Sequence, residues 1–180
     1  MTLHTRVTLR PTMLSDLDFV VGVEQDAANR PFITPWERTQ HEGAIRFPDA
    51  RHFVVELDAA SVGFVILQGC RNPNRSVELK RIVLLSKGQG VGRECVRKLK
   101  ALAFRHFGAH RFWLDVKGRN TPAWQLYLSE GFVEEGRLRE SVRIEGEAGP
   151  DGVDVFDDLI VMSLLRREFD ERLAQGREPS

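Results

Sequence analysis

Residues 86–95 read SKGQGVGREC, and Gly88, Gly90 and Gly92 fall on alternate positions between an apolar run, VELKRIVLL, and a stretch of helix formers. A strand, a glycine loop and a helix make an anion site by construction. The first turn of a helix leaves its N–H groups unpaired and carries the positive end of the dipole. Glycine removes the side chains that would hold a phosphate away. Two phosphate loops fail on spacing. The dinucleotide fingerprint needs glycine three after Gly90, and the P-loop counted from Gly88 needs glycine at the same place; Arg93 stands there. That argues against a nucleotide-binding protein. A glycine turn without a ligand stays open on these residues alone.

A second group lies downstream. NTPAWQLYLSEGF, residues 120–132, sets Asn120, Ala123, Leu126, Tyr127, Gly131 and Phe132 along a helix that Thr121 would cap, with Pro122 at its first position. Tyr127 is the only tyrosine in the chain, and one turn past Ala123 it shares that residue's face. Its phenol can donate a proton, or the ring can simply pack. Asn120 is a binding amide or ordinary turn polarity. Among carboxylates that could take a proton, Glu78 lies near the start of VELKRIVLL, and Glu56 and Glu24 are lesser candidates. Glu78 alternates with Lys80 and can equally pair with it.

KGQGVG, residues 87–92, resembles the Arg/Gln-x-x-Gly-x-Gly/Ala loop of the GCN5-related N-acetyltransferases (GNAT), with Lys87 where Arg or Gln is usual. Residues 120–132 are similar to that family's Asn-x-x-Ala-x-x-Leu-Tyr-x-x-x-Gly-Phe segment. EEGRLRES, just after it, looks like a turn of the ribosomal-protein and polyamine acetyltransferase branch. Two motifs in order, separated by a helix and a strand, are much more specific than either alone. The resemblance runs from about residue 5 to about residue 165.

That resemblance implies an α/β fold, a single-domain mixed and mostly antiparallel sheet flanked by helices on both faces. It implies acetyl-CoA as cosubstrate and no metal. The pyrophosphate would sit on Lys87, Gly88, Gln89, Gly90, Val91, Gly92 and Arg93. The pantetheine arm would follow the main chain of Ile82, Val83 and Leu84, where the strand splays from its neighbour, with Asn120 and Tyr127 alongside. Acetyl would pass directly from sulfur to a primary amine in a ternary complex, with Tyr127 as acid for the leaving thiolate and Glu78, or a water relay, as base. A non-catalytic acyl-CoA-binding module of the same fold is the alternative. The acceptor is a small-molecule amine or a peptide or protein N-terminus, and its site would be built from the first two helices and the loop NRPFITPW.

The elements that must position these residues follow from pattern. TRVTLRP, RHFVVELD, ASVGFVILQGC, SVELKRIVLL, HRFWLDV, FVEEGRLRESVRI and VDVFDDLIVMSLL read as strands, the second and third forming a hairpin near Asp58. Helices are expected near Leu17–Val23, over Glu37–Phe47, from Val91 and over the 120–132 segment. The order places antiparallel strands first and a crossover helix between the fourth and fifth strands. VDVFDDLIVMSLL is apolar on both faces, which suggests burial on both, by helices or by a homodimer partner.

The chain has 180 residues, enough for one domain, with a core over about 5–165 and a charged tail that frays at GREPS. Its 26 basic and 26 acidic residues balance, which argues against nucleic acid as the main partner. The start lacks an apolar signal segment and no run is long enough to span a bilayer, so a cytoplasmic protein without a membrane partner is expected. Cys70 and Cys95 read as reduced, buried thiols. His106 and His110 resemble a metal pair in spacing, but Gly108 breaks the helix between them.

Overall fold

A computed structural model describes residues 7–85 and 90–178. The strands are β1 (Val7–Pro11), β2 (Arg51–Leu57), β3 (Ala60–Gln68), β4 (Ser76–Leu84), β5 (Arg111–Lys117), β6 (Val133–Ala148) and β7 (Asp154–Leu165). The helices are α1 (Leu17–Gln25), α2 (Arg38–Arg46), α3 (Val91–Ala101), α4 (Thr121–Ser129) and α5 (Arg166–Ala174). The strands form one sheet in the order β1-β2-β3-β4-β5-β7-β6. β4 and β5 are parallel, as the α3 crossover between them requires; the other neighbouring strands are antiparallel. The mixed sheet and its helical layers are those the sequence implied.

Each face has its own core. Val65, Leu67, Val77, Leu79, Phe112, Leu114, Met162 and Leu164 pack under α3, α4 and α5. On the opposite face Phe64, Ile66 and Val83 pack under Leu17, Val20 and Val23 of α1 and Ala44 of α2. β3 explains why both are needed. Phe64 to Leu67 are all fully buried, and alternate side chains point to opposite faces.

Four details differ from the sequence pattern. Asn120, not Thr121, caps α4, its side chain accepting from the N–H of Ala123 at 3.3 Å. The α3 ladder loosens into a π-helical turn over Leu102–His106 before Gly108 turns the chain at φ +64°. The tail holds as far as Glu178, which is buried and bound to Lys100 at 2.5 Å and Arg172 at 2.7 Å; burying Lys100 demands that partner. Finally, β7 is covered on one face from within the chain. Met162 is fully buried under the helices, whereas Phe156 near the strand's start is 48% exposed, so the two do not form one docking surface. Among the described residues no helix is long and apolar enough to cross a membrane.

Candidate active site

β4 pairs with β5 only over Ser76–Glu78 against Arg111–Trp113. Beyond Glu78 the two strands part, and the edge of β4 towards β5 has no strand partner. A bulge enforces the change. Opposite β3, Leu79 faces Leu67 and Arg81 faces Ile66, leaving Lys80 as the extra residue. The insertion reverses the alternation, so Ile82 and Leu84 pack with the α3-side core while Val83 joins the α1-side core.

Two adjoining cavities of about 260 and 270 Å³ open in this gap. Phe32, Ile33, Ile82, Asn120 and Tyr127 line both. The cavity towards α3 adds Val83, Leu84, Gly92, Ala123 and Leu126. Its wall is apolar, and at Gly92 there is no side chain at all. At its mouth Gly90 takes φ +77° as it leads into α3, a left-handed conformation that suits glycine. A Cβ there would meet no atom of the described residues within 4 Å. An unpaired strand edge, a glycine-lined channel and a helix N-terminus fit a pantetheine arm and its pyrophosphate in turn.

The other cavity carries charge. Lys80, Arg81, Asp115 and Lys117 line it beside Thr34 and Leu79. Arg81 donates to Glu24 at 2.6 Å and to the carbonyl of Thr34 at 3.0 Å, and stacks on Trp36 at 4.6 Å. Glu24, wholly buried, also accepts from the N–H of Trp36 at 2.7 Å and meets His41 at 3.3 Å. His41 meets His52 at 3.2 Å, and His52 meets Thr12 at 2.8 Å. This polar chain ties the 32–36 loop to α1, α2 and β4. Burial, helped by neighbouring His41, pushes the imidazole of His52 down to about 3.

Tyr127 is buried, with its ring edge-on to Phe132 at 5.7 Å. Burial raises its phenol well above the ordinary value, with Asp115 adding to the rise. Asn120 lines both cavities, and its capping bond occupies only its oxygen, leaving its NH₂ to donate. Lys87, Gly88 and Gln89 lie outside the described residues. Val91 is core. The Arg93 guanidinium is engaged by Ser129 at 3.0 Å and Glu130 at 2.7 Å.

The candidate bases separate. Glu78 lines neither cavity; it binds Lys80 at 3.1 Å, and burial raises its carboxyl from the usual value. Glu56 binds Arg10 at 3.0 Å towards the β1 edge of the sheet, and Glu24 stands behind Arg81. The carboxylate in the cavity wall is Asp115, which sequence reading missed. Its signal was alternation: in RFWLDVK, Phe112, Leu114 and Val116 point to the core, so Trp113, Asp115 and Lys117 point the other way. Without the splay of β4, nothing marks that face as a cavity. The thiols are not nucleophiles: burial pushes Cys95 up to about 12 and Cys70 up to about 11.

Comparison with known proteins accords with this geometry. The family described as Acetyltransferase (GNAT) domain matches residues 6–133. The spermidine N(1)-acetyltransferase of Vibrio cholerae serotype O1 is 29% identical, over 93% of this chain and 97% of that one. The solved spermidine N-acetyltransferase from Vibrio cholerae in complex with CoA and spermine superposes with a TM-score of 0.77 at 26% identity, over 91% of this chain and 97% of that one. A dodecameric structure of the spermidine N-acetyltransferase from the same organism gives 0.75 at 27% identity, over 92% and 97%.

Proposed function

The chain belongs to the GNAT acetyltransferase family, and on that premise we propose that Tyr127 and Asp115 serve its transfer of acetyl from acetyl-CoA to a primary amine. The observation that carries this reading is the position of Tyr127, which lines both cavities. Sulfur arriving from the α3 side and an amine from the charged side meet beside one phenol.

Acetyl-CoA supplies an activated acyl carbon and a thiolate leaving group. The residues of the chain do the rest. The N–H groups at the start of α3 and the bare backbone of Gly90 hold the pyrophosphate, and the free edge of β4 at Ile82, Val83 and Leu84 guides the arm. A phenol held protonated by burial is a donor and not a base, so Tyr127 donates towards the sulfur as charge develops there. Asp115 orients the amine and accepts its proton, directly or through water. Glu78 is paired with Lys80 and lines neither cavity.

The relatives are named for spermidine, and spermidine is one amine to test among several. The test is thiol release from acetyl-CoA with and without a panel of primary amines, next to thermal shifts with acetyl-CoA and with ATP. Amine-dependent release is expected, and acetyl-CoA should raise Tm where ATP does not. A shift with acetyl-CoA but no transfer to any amine would favour a binding module of the same fold.

A further inference from the structure

Pairing the charges of the acceptor cavity leaves a specific remainder. Lys80 is matched by Glu78 and Arg81 by Glu24. Asp115 and Lys117 have no ion-pair or hydrogen-bond partner among the described residues. Both lie on the cavity face of β5, two residues apart, or about 7 Å along the strand.

Lys117 is 91% buried by its residue exposure of 9%. The acidic groups that act on it, Asp157 and Glu145, lie beyond ion-pair distance, and Asp157 is already held by Arg119 at 3.4 Å. Arg81 and Arg119 oppose it with like charge. The Lys117 ammonium has no counter-charge within ion-pair distance among the described residues, and burial of the side chain lowers it from the ordinary lysine value. The Nε of Arg81 in the same wall is buried without a partner, a second donor left over. Of the remaining wall, Phe32, Ile33, Leu79, Ile82, Val142 and Leu159 are apolar, beside the polar Thr34, Asn120 and Tyr127.

A flexible polyamine carries an ammonium at each end and would have to lay one of them near Lys117. The remainder of one anion and one cation instead complements a zwitterion. We propose that the acceptor is a primary amine bearing a carboxylate on an apolar body, an apolar amino acid being the simplest case, with its carboxylate on Lys117 and its amine turned to Asp115 and Tyr127. This rests on the acetyltransferase reading and names the substrate class of that same site.

The experiment uses the full chain, acetyl-CoA and matched acceptors: leucine against isopentylamine, phenylalanine against phenethylamine, and spermidine as a separate arm. The carboxylate-bearing member of each pair is expected to have the higher kcat/KM by about ten- to a hundredfold, the range for a hydrogen bond to a charged group. Lys117→Met should bring the members of each pair together, and Lys117→Arg should restore the difference. The proposal falls if the plain amines or spermidine are used as well as the amino acids, or if Lys117→Met leaves the preference intact; in those cases the acetyltransferase reading stands. Absence of transfer to every arm overturns both. The pairwise comparison on the unmodified protein does not depend on how the variants fold.

Discussion

On the α3 side of Tyr127 the gap is walled by Val83, Leu84, Gly92, Ala123 and Leu126, which are apolar or have no side chain. On the other side the wall is Lys80, Arg81, Asp115 and Lys117. On the proposed reading the first side binds through backbone: an unpaired strand edge, a left-handed glycine and a helix start. Any sequence that keeps the residues small and the strand splayed preserves it. The second side presents charged side chains; Lys80 and Asp115 are open to solvent, whereas the more buried Arg81 and Lys117 gain most from a partner, because an enclosed charge without one is costly. Behind it stand Glu24, His41 and His52, which brace Arg81; the polar group beside α3, buried Glu130 with Arg93, Arg97 and Lys100, contributes no side chain to the cavity wall. One molecule thus carries a cofactor half suited to sharing across a family and an acceptor half suited to choosing a substrate.

The comparison is most sharply tested where the halves meet. Tyr127→Phe removes the proton and keeps the packing. It should lower kcat by roughly ten- to a thousandfold with acetyl-CoA affinity nearly unchanged, as steady-state kinetics and calorimetry would read. A loss of affinity with kcat intact would move Tyr127 to the cofactor half. Asp115→Asn comes next, at about ten- to a hundredfold in kcat/KM for the amine, again with acetyl-CoA binding preserved. If Glu78→Gln alone produced that loss, the base would stand behind the wall and not in it.

On the cofactor half, Gly90→Val should weaken acetyl-CoA binding by about tenfold, since a left-handed residue with a Cβ costs about 1–2 kcal/mol. Gly90→Asn, which tolerates that conformation, should cost less. Equal effects would point to lost space and not to backbone strain. Amine KM should not move in either.

The smallest effect concerns the brace behind the acceptor half. Unfolded His52 takes up a proton near its ordinary value of about 6.5, whereas the folded residue does so only at about 3. Between these values the unfolded chain binds more protons. Stability is therefore full above about pH 6.5 and falls as the pH drops towards 3. Urea unfolding at pH 5.5 should show a loss of about 1 kcal/mol relative to neutral pH, and His52→Gln should narrow the difference. An unchanged difference would place the acid sensitivity elsewhere.

Much of the cofactor half was legible before any coordinates. The glycine alternation, the Asn120-to-Phe132 segment and the strand–loop–helix order identify it, because backbone-built sites are written in local sequence. Residues 86–89 carry part of that motif and lie outside the described residues. The element order along the chain and the crossover between the fourth and fifth strands were legible too; the insertion of β7 between β5 and β6, the bulge at Lys80 and the reach of the tail to Glu178 were not. The acceptor half was not. Glu78 drew attention through its place in the strand, yet it is Asp115, from a strand further on, that lines the cavity.

What the sequence determined by itself, then, is the sheet, its helical layers and the elements that flank the proposed cofactor channel, since periodicity, capping and glycine act over a few neighbouring residues. Only the tertiary structure decided which charges face the acceptor. The bulge at Lys80 reverses the strand's faces and β4 parts from β5. Pairing then neutralises Lys80 and Arg81 through residues near and far in the chain, and leaves Asp115 and Lys117 without an ion pair among the described residues. Such cancellation depends on distances between strands and helices, which no local pattern encodes.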